Sequence, residues 1–168
     1  GVYEWIVWIT STIYFYGLSA EQALQKVFSE TERRNKVIIN LGSGPSDFGA
    51  DIINVDTYPF KNVQIITDAS SLPFRDNSVD MIITESLLEH IPYPEKAIQE
   101  IQRVLKTGGY IFIEMPFMFP FHGSPSDYTR FTLMGLRERF HNFETIEAGT
   151  RSGPIATLSI QFMYVLAL

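Results

Sequence analysis

The stretch VIINLGSGPSDFGADIINVD, residues 37–56, constrains this chain more than any other. Two β-branched, apolar runs flank a glycine turn, and an aspartate closes the second run. Runs that are apolar throughout, rather than alternating, belong to strands covered on both faces, as in parallel sheets. Parallel neighbours need a crossover, ordinarily of a dozen or more residues. Only residues 42–51 lie between these two runs, so the crossover has room for a turn or two of helix at most.

The rest of the chain alternates in the same way. VQIITD (63–68), VDMIIT (79–84), YIFIEMP (110–116) and FETIEAG (143–149) read as further strands. A helix is expected from Ser19, a good N-cap with Gln22 three residues on, to about Glu30. YPEKAIQEIQRVLK (93–106) carries Ala97, Ile98, Ile101, Val104 and Leu105 at helical spacing, with Gly108 and Gly109 as its expected stop. TLMGLRERF (132–140) and residues 150–168 also read as helical. Strand–helix alternation predicts a doubly wound α/β fold with a mainly parallel sheet. The 168 residues suit a single domain, with its core over about residues 20–150. Ligands of such folds sit beyond the carboxyl ends of the strands, where strand order reverses. That rule selects Gly42 to Ser46, Asp56, Asp68, Glu85 and the segment after Met115.

A dinucleotide site needs three glycines and a full helix whose N-terminus meets the pyrophosphate. Here Ser46 occupies the third glycine position and the crossover is short, which opposes a nicotinamide oxidoreductase. No GxxxxGK[ST] run exists, so a P-loop is excluded. A nucleoside ligand without phosphate tolerates the truncation. S-adenosylmethionine (SAM), an adenosine joined to an amino acid through a sulfonium, is such a ligand. Gly42 and Gly44 allow close backbone approach. A carboxylate closing the second strand, Asp56, can accept from both ribose hydroxyls. Asp68, closing the third, can accept from the exocyclic amine of adenine.

The run from INLGSGPSDFGADIINVD through LPFRDNSVD, LLEH and EIQRVLKTGGYIFIEMP resembles the class I SAM-dependent methyltransferases of the methyltransferase type 11 group. The resemblance covers residues 36–117 and extends more loosely to 143. It implies a Rossmann-like, seven-stranded sheet with SAM as cofactor. It further implies that Asn40, Gly42, Ser43 and Gly44 line the methionine end. Asp56 would take the ribose, Asp68 and Ala69 the adenine, and Glu85 and Ser86 would sit by the sulfonium. Three features depart from the family: Asn40 stands where an acid is frequent, the first crossover is abbreviated, and no seventh strand follows the sixth. An incomplete sheet edge is the expectation.

Catalytic candidates come from MPFMFPFHGSPSDYTRFT (115–132), a long loop leaving the fifth strand at the ligand edge. His122 is a candidate general base, with Asp127 or Tyr128 orienting it or the acceptor. Arg130 could meet an anionic substrate group, or pair with Asp127 in a lid closed over an aromatic plug. His90 reads as structural. Methyl transfer from a sulfonium is a direct displacement that asks mainly for alignment and exclusion of water, so the acid–base assignment is weaker than the cofactor assignment. The acceptor class is a small molecule, lipid or glycan. The alternative function is SAM binding without turnover.

A formal net charge of −6 gives no footprint for nucleic acid. The absence of cysteine removes disulfides and thiolate metal sites; no metal is expected, and a reducing cytoplasm is the default compartment. YEWIVWITSTIYFYGL (3–18) carries one charge, and the last fourteen residues, IATLSIQFMYVLAL, carry none. Each run is shorter than the roughly 20 residues that span a bilayer. The first lacks the basic start and cleavage site of a secretory signal. The chain starts at Gly1 without a methionine, which suggests trimming or processing. These runs are expected to pack on the domain, or to touch a membrane surface or a partner.

Overall fold

In the computed structural model the described residues are 3–10, 18–150 and 154–166. Their strands are β1 (Tyr3–Thr10), β2 (Ile38–Leu41), β3 (Ile52–Asp56), β4 (Ile65–Ile66), β5 (Val79–Glu85), β6 (Leu105–Pro116) and β7 (Phe143–Gly149). They form one sheet in the order β4-β3-β2-β5-β6-β1-β7, and every pairing is parallel. The chain winds outward from β2 through β3 to β4, then returns to β5 and winds the other way. Strand order therefore reverses between β2 and β5, and a crevice opens there beyond the strand ends.

Both sheet faces are covered, as the unbroken apolar runs require. Helix α1 (Ala20–Val27) lays Ala20, Ala23 and Leu24 over Ile38, Met81, Ile83 and Phe112. On the other face, α3 (Pro94–Val104) and α4 (Leu133–Arg139) bury Ile98, Ile101 and Leu136 with Ile39, Ile82 and Ile111. Neighbouring residues such as Ile38 and Ile39 thus serve opposite cores, the period-two geometry of a strand.

Several boundaries differ from the sequence reading. The first helix stops at Val27, because Phe28 turns extended and is buried; Ser29 and Glu32 then form a second capping box that starts the short α2 (Glu30–Arg33). The third strand shrinks to two residues at the sheet edge, where it has one neighbour. Helix α3 ends at Val104 rather than at the glycine pair, and Leu105 already pairs with Val79. Gly108 (φ +75°) lies inside β6, at the register shift that brings Tyr110 opposite Met81.

The expected gap at the sheet edge is filled from the opposite end of the chain. β1, from the apolar N-terminal run, inserts between β6 and β7 with Glu4 opposite both Tyr110 and Glu144. Residues 11–17 of that run lie outside the described residues. The C-terminal run forms helix α5 (Pro154–Leu166), beside the 117–121 segment: Gln161 Nε2 donates to the Met118 carbonyl at 3.3 Å. Among the described residues no helix is long and apolar enough to cross a membrane.

Candidate cofactor and active site

A cavity of about 720 Å³ occupies the crevice at the reversal point, within the range of small-molecule sites. Gly42, Gly44 and Pro45 of the glycine turn line it, with Asp56, Thr57, Tyr58 and Phe60 from the end of β3 onward and Asp68 and Ala69 after β4. Ser86, Leu87 and His90 follow from β5, and Ser124 to Ser126 with Tyr128 close the opposite side.

The glycine turn is shaped by two different demands. Gly42 has φ +71°, and a Cβ there would lie 2.7 Å from Leu87 Cδ1, so the turn presses directly on the segment after β5. Gly44 has φ +52°, and its Cβ would enter open space, leaving bare backbone beside the cavity. No helix forms between β2 and β3: residues 42–51 hold only turns.

Asp56 is fixed by backbone donors, Gly44 N–H to Oδ2 and Tyr58 N–H to Oδ1, each at 2.8 Å. Oδ1 also meets the Thr57 hydroxyl at 3.5 Å, while Oδ2 keeps a second lone pair for a ligand. Asp68 Oδ1 accepts from the Ser70 hydroxyl at 2.6 Å and the Ser70 N–H at 2.7 Å. Those two donors hold its carboxyl below the ordinary range, so it presents a charged acceptor at neutral pH.

Six of the nine residues expected to bind the cofactor line this cavity: Gly42, Gly44, Asp56, Asp68, Ala69 and Ser86. Asn40, Ser43 and Glu85 do not. The Asn40 side chain is buried in the sheet, donating to Asn54 Oδ1 at 3.0 Å, because an amide can satisfy itself there where a carboxylate would remain charged. Ser43 is buried and turns its hydroxyl to the Gly44 carbonyl. Glu85 is the last residue of β5, one position short of the cavity.

Of the three catalytic candidates only Tyr128 reaches the cavity. Asp127 is spent within its own loop, where Oδ2 accepts from the His122 N–H at 2.7 Å and Arg130 Nη2 at 2.6 Å. The His122 ring packs against His90, with ring centroids 5.2 Å apart, and does not line the cavity. The Asp127–Arg130 pair exists; Phe117, Phe119 and Phe121 are exposed, while Phe131 is buried in the core.

The loop is tied to the 3-10 turn Leu88–His90, which follows β5. Tyr128 N–H donates to the Glu89 carbonyl at 2.7 Å and Ser126 Oγ to the His90 carbonyl at 3.0 Å, while His90 Nδ1 meets the Ser126 carbonyl. Beneath this seam the Glu89 side chain is fully buried, and burial pushes its carboxyl above the usual range against the pull of His90 and Arg130. Glu89, Thr57, Tyr58 and Phe60 escaped the sequence reading. The signal for Glu89 was its place one residue before His90 in LLEH; the other three directly follow Asp56. Among the described residues no cluster of three or more metal-ligating side chains occurs.

A parallel, doubly wound sheet with a glycine turn and two strand-end carboxylates around a crevice defines a Rossmann-like nucleoside-binding domain. Residues 46–113 match the methyltransferase domain family. The chain is 25% identical over 141 residues to an uncharacterized methyltransferase of Mycobacterium sp. (strain KMS), covering 70% of this chain and 56% of that protein. It is 42% identical over 50 residues to phosphoethanolamine N-methyltransferase 2 of Caenorhabditis elegans, covering 30% of this chain and 11% of that one. A Haloferax volcanii protein assigned as a methyltransferase, solved with a methyltransferase activator, shares the fold with a TM-score of 0.51 at 17% identity. That match covers 73% of this chain and 70% of the other. The chain is thus similar to the SAM-dependent methyltransferases. It spans about half the length of the curated mycobacterial relative it matches.

Proposed function

We propose that this cavity binds SAM and that the chain transfers its methyl group to an acceptor entering beside Tyr128. The observation that carries the reading is the pair Asp56 and Asp68. Each carboxylate lines the cavity together with Thr57, Tyr58 and Phe60, with donors fixing part of it and lone pairs left over. That matches a nucleoside with ribose hydroxyls and an exocyclic amine. Gly42, Gly44 and Ser86 would flank the amino-acid tail. Bound there, SAM supplies a methyl group already activated on a sulfonium. The protein then has to orient the acceptor and exclude water, which the Ser124 to Tyr128 side of the cavity is placed to do. Tyr128, His90, Ser124 and Ser126 are polar residues lining the cavity there.

The acceptor is best matched by an apolar small molecule or a lipid. Phe117, Met118, Phe119 and Phe121 are exposed on the loop whose Ser124 to Tyr128 stretch borders the cavity, and the uncharged α5 beside them exposes Ile155, Leu158 and Phe162. A glycan would find few polar groups there. The same surface supports peripheral contact with a bilayer in the cytoplasm. Liposome flotation checks this: recovery wholly in the soluble fraction removes the membrane part of the reading.

A second reading, SAM binding without turnover, is favoured by the burial of Asp127 and the withdrawal of His122 from the cavity. Calorimetry with SAM, S-adenosylhomocysteine and NAD tests the site, and preference for NAD or silence with all three rejects it. Labelled-methyl transfer into lipid and small-molecule extracts separates the two readings, since binding without product leaves the second.

A further inference from the structure

Residues 42–51 raise a physical difficulty. A glycine turn in a nucleotide-binding fold is normally held by the helix it opens, whose backbone hydrogen bonds and packing fix the turn against the sheet. This crossover has no helix, yet its backbone lines the cavity. Gly42 N–H and Ser43 N–H both bond the Val55 carbonyl, at 2.8 and 3.2 Å, and Ser46 N–H bonds the Ser43 carbonyl at 3.0 Å. The carbonyls of Gly44 and Ser46 have no helical donor to meet.

One side chain meets both of them, whereas the Ser43 hydroxyl reaches only the Gly44 carbonyl, at 3.3 Å. Asn62 Nδ2 donates to the Gly44 carbonyl at 3.0 Å and the Ser46 carbonyl at 2.7 Å, using both hydrogens of its amide. Asn62 is itself held from below, because Asn54 Nδ2 donates to the Asn62 carbonyl at 3.1 Å. Asn54 is fully buried and accepts from Asn40, whose amide also approaches the Ser46 carbonyl at 3.4 Å. A chain of amides thus runs from β2 through β3 to the turn. Asn62 belongs to the segment that carries Thr57, Tyr58 and Phe60, so it joins the two walls between which a nucleoside would lie.

We infer that Asn62 is a positioning residue that takes the place of the missing crossover helix, fixing the glycine turn and locking it to the Tyr58–Phe60 wall for cofactor binding. Asn40 and Asn54 brace it. The inference rests on the SAM-binding reading for its functional consequence, while its structural half stands alone.

The test uses the whole chain with Asn62→Ala and Asn62→Asp. Hydrogen exchange of the Gly42, Ser43, Gly44 and Ser46 amides is measured without ligand, with the β5 amides as internal reference. Exchange at the turn is expected to rise about tenfold in both variants, the scale of a net hydrogen bond, with β5 unchanged. Calorimetry is expected to show SAM binding weakened about tenfold in Asn62→Ala. Asn62→Asp should weaken it further, although it keeps the shape, because it sets a carboxylate against two carbonyls. A merely packing role predicts the opposite ranking. Unchanged turn exchange overturns the inference whether or not SAM binds. So does wild-type affinity in both variants. A wild-type chain that ignores SAM sinks the functional reading instead, and leaves the exchange result to decide the role of Asn62.

Discussion

The side of the cavity proposed for the cofactor hangs on strand ends, whereas the side proposed for the acceptor is a proline-rich loop pinned to a single 3-10 turn. On the first side, Gly42, Asp56 and Ser86 sit at or just beyond the ends of β2, β3 and β5, and sheet hydrogen bonds set their positions. On the second, the polar side chains satisfy one another: Asp127 holds Arg130 and the His122 N–H, and His90 and Ser126 hold each other. Strand ends leave their polar groups free for a ligand because backbone pairing has already fixed them. A loop must spend polar groups on its own fold. The chemistry of methyl displacement fits this division, since it asks for a precise cofactor and a shaped, dry acceptor pocket.

The largest expected break falls on the strand-end side. Asp56→Ala removes a charged acceptor and also frees the Gly44 and Tyr58 amides. SAM affinity should fall about a hundredfold, as for the loss of two hydrogen bonds to a charge. Calorimetry reading a change of less than threefold would erase the contrast between the two sides. On the loop side the corresponding change costs stability. Asp127→Ala leaves the Arg130 guanidinium, 20% exposed with Nη1 already lacking a partner, without its carboxylate. Unfolding free energy should drop by about 2 kcal/mol, measured by urea titration, with SAM affinity nearly unchanged.

Glu89→Gln sharpens the comparison with a smaller effect. Burial raises the folded-state carboxyl above its unfolded value near 4.3, so the folded chain binds the proton more tightly. Ionisation therefore costs stability, a cost absent below the unfolded value and growing as pH rises through the folded one. The glutamine variant should melt higher than wild type at pH 7 and match it near pH 3. A variant that melts lower at pH 7 would show Glu89 to be a needed counter-ion for Arg130.

Much of the strand-end side was legible from residues 37–56 and 63–68 alone, because strand periodicity and the position of an acid after an apolar run are local properties. Asn40 depends on more than its local pattern. Its place in the pattern was visible, but whether its amide met a ligand or Asn54 depended on register between β2 and β3. The loop side was legible only as composition: His122, Asp127 and Tyr128 share one loop, and only contacts with Glu89 and His90 decide which one faces the cavity.

By itself the sequence determined the parallel α/β winding, the helix-poor crossover and the acids at the strand ends. Each follows from backbone periodicity over fewer than about twenty residues, within reach of local pattern rules. Tertiary structure alone decided that an N-terminal strand completes the sheet, that Asn62 braces the glycine turn, and that Asp127 faces inward. These outcomes join groups far apart in the chain, or turn on which donor lies opposite which acceptor, and no local periodicity encodes such a choice.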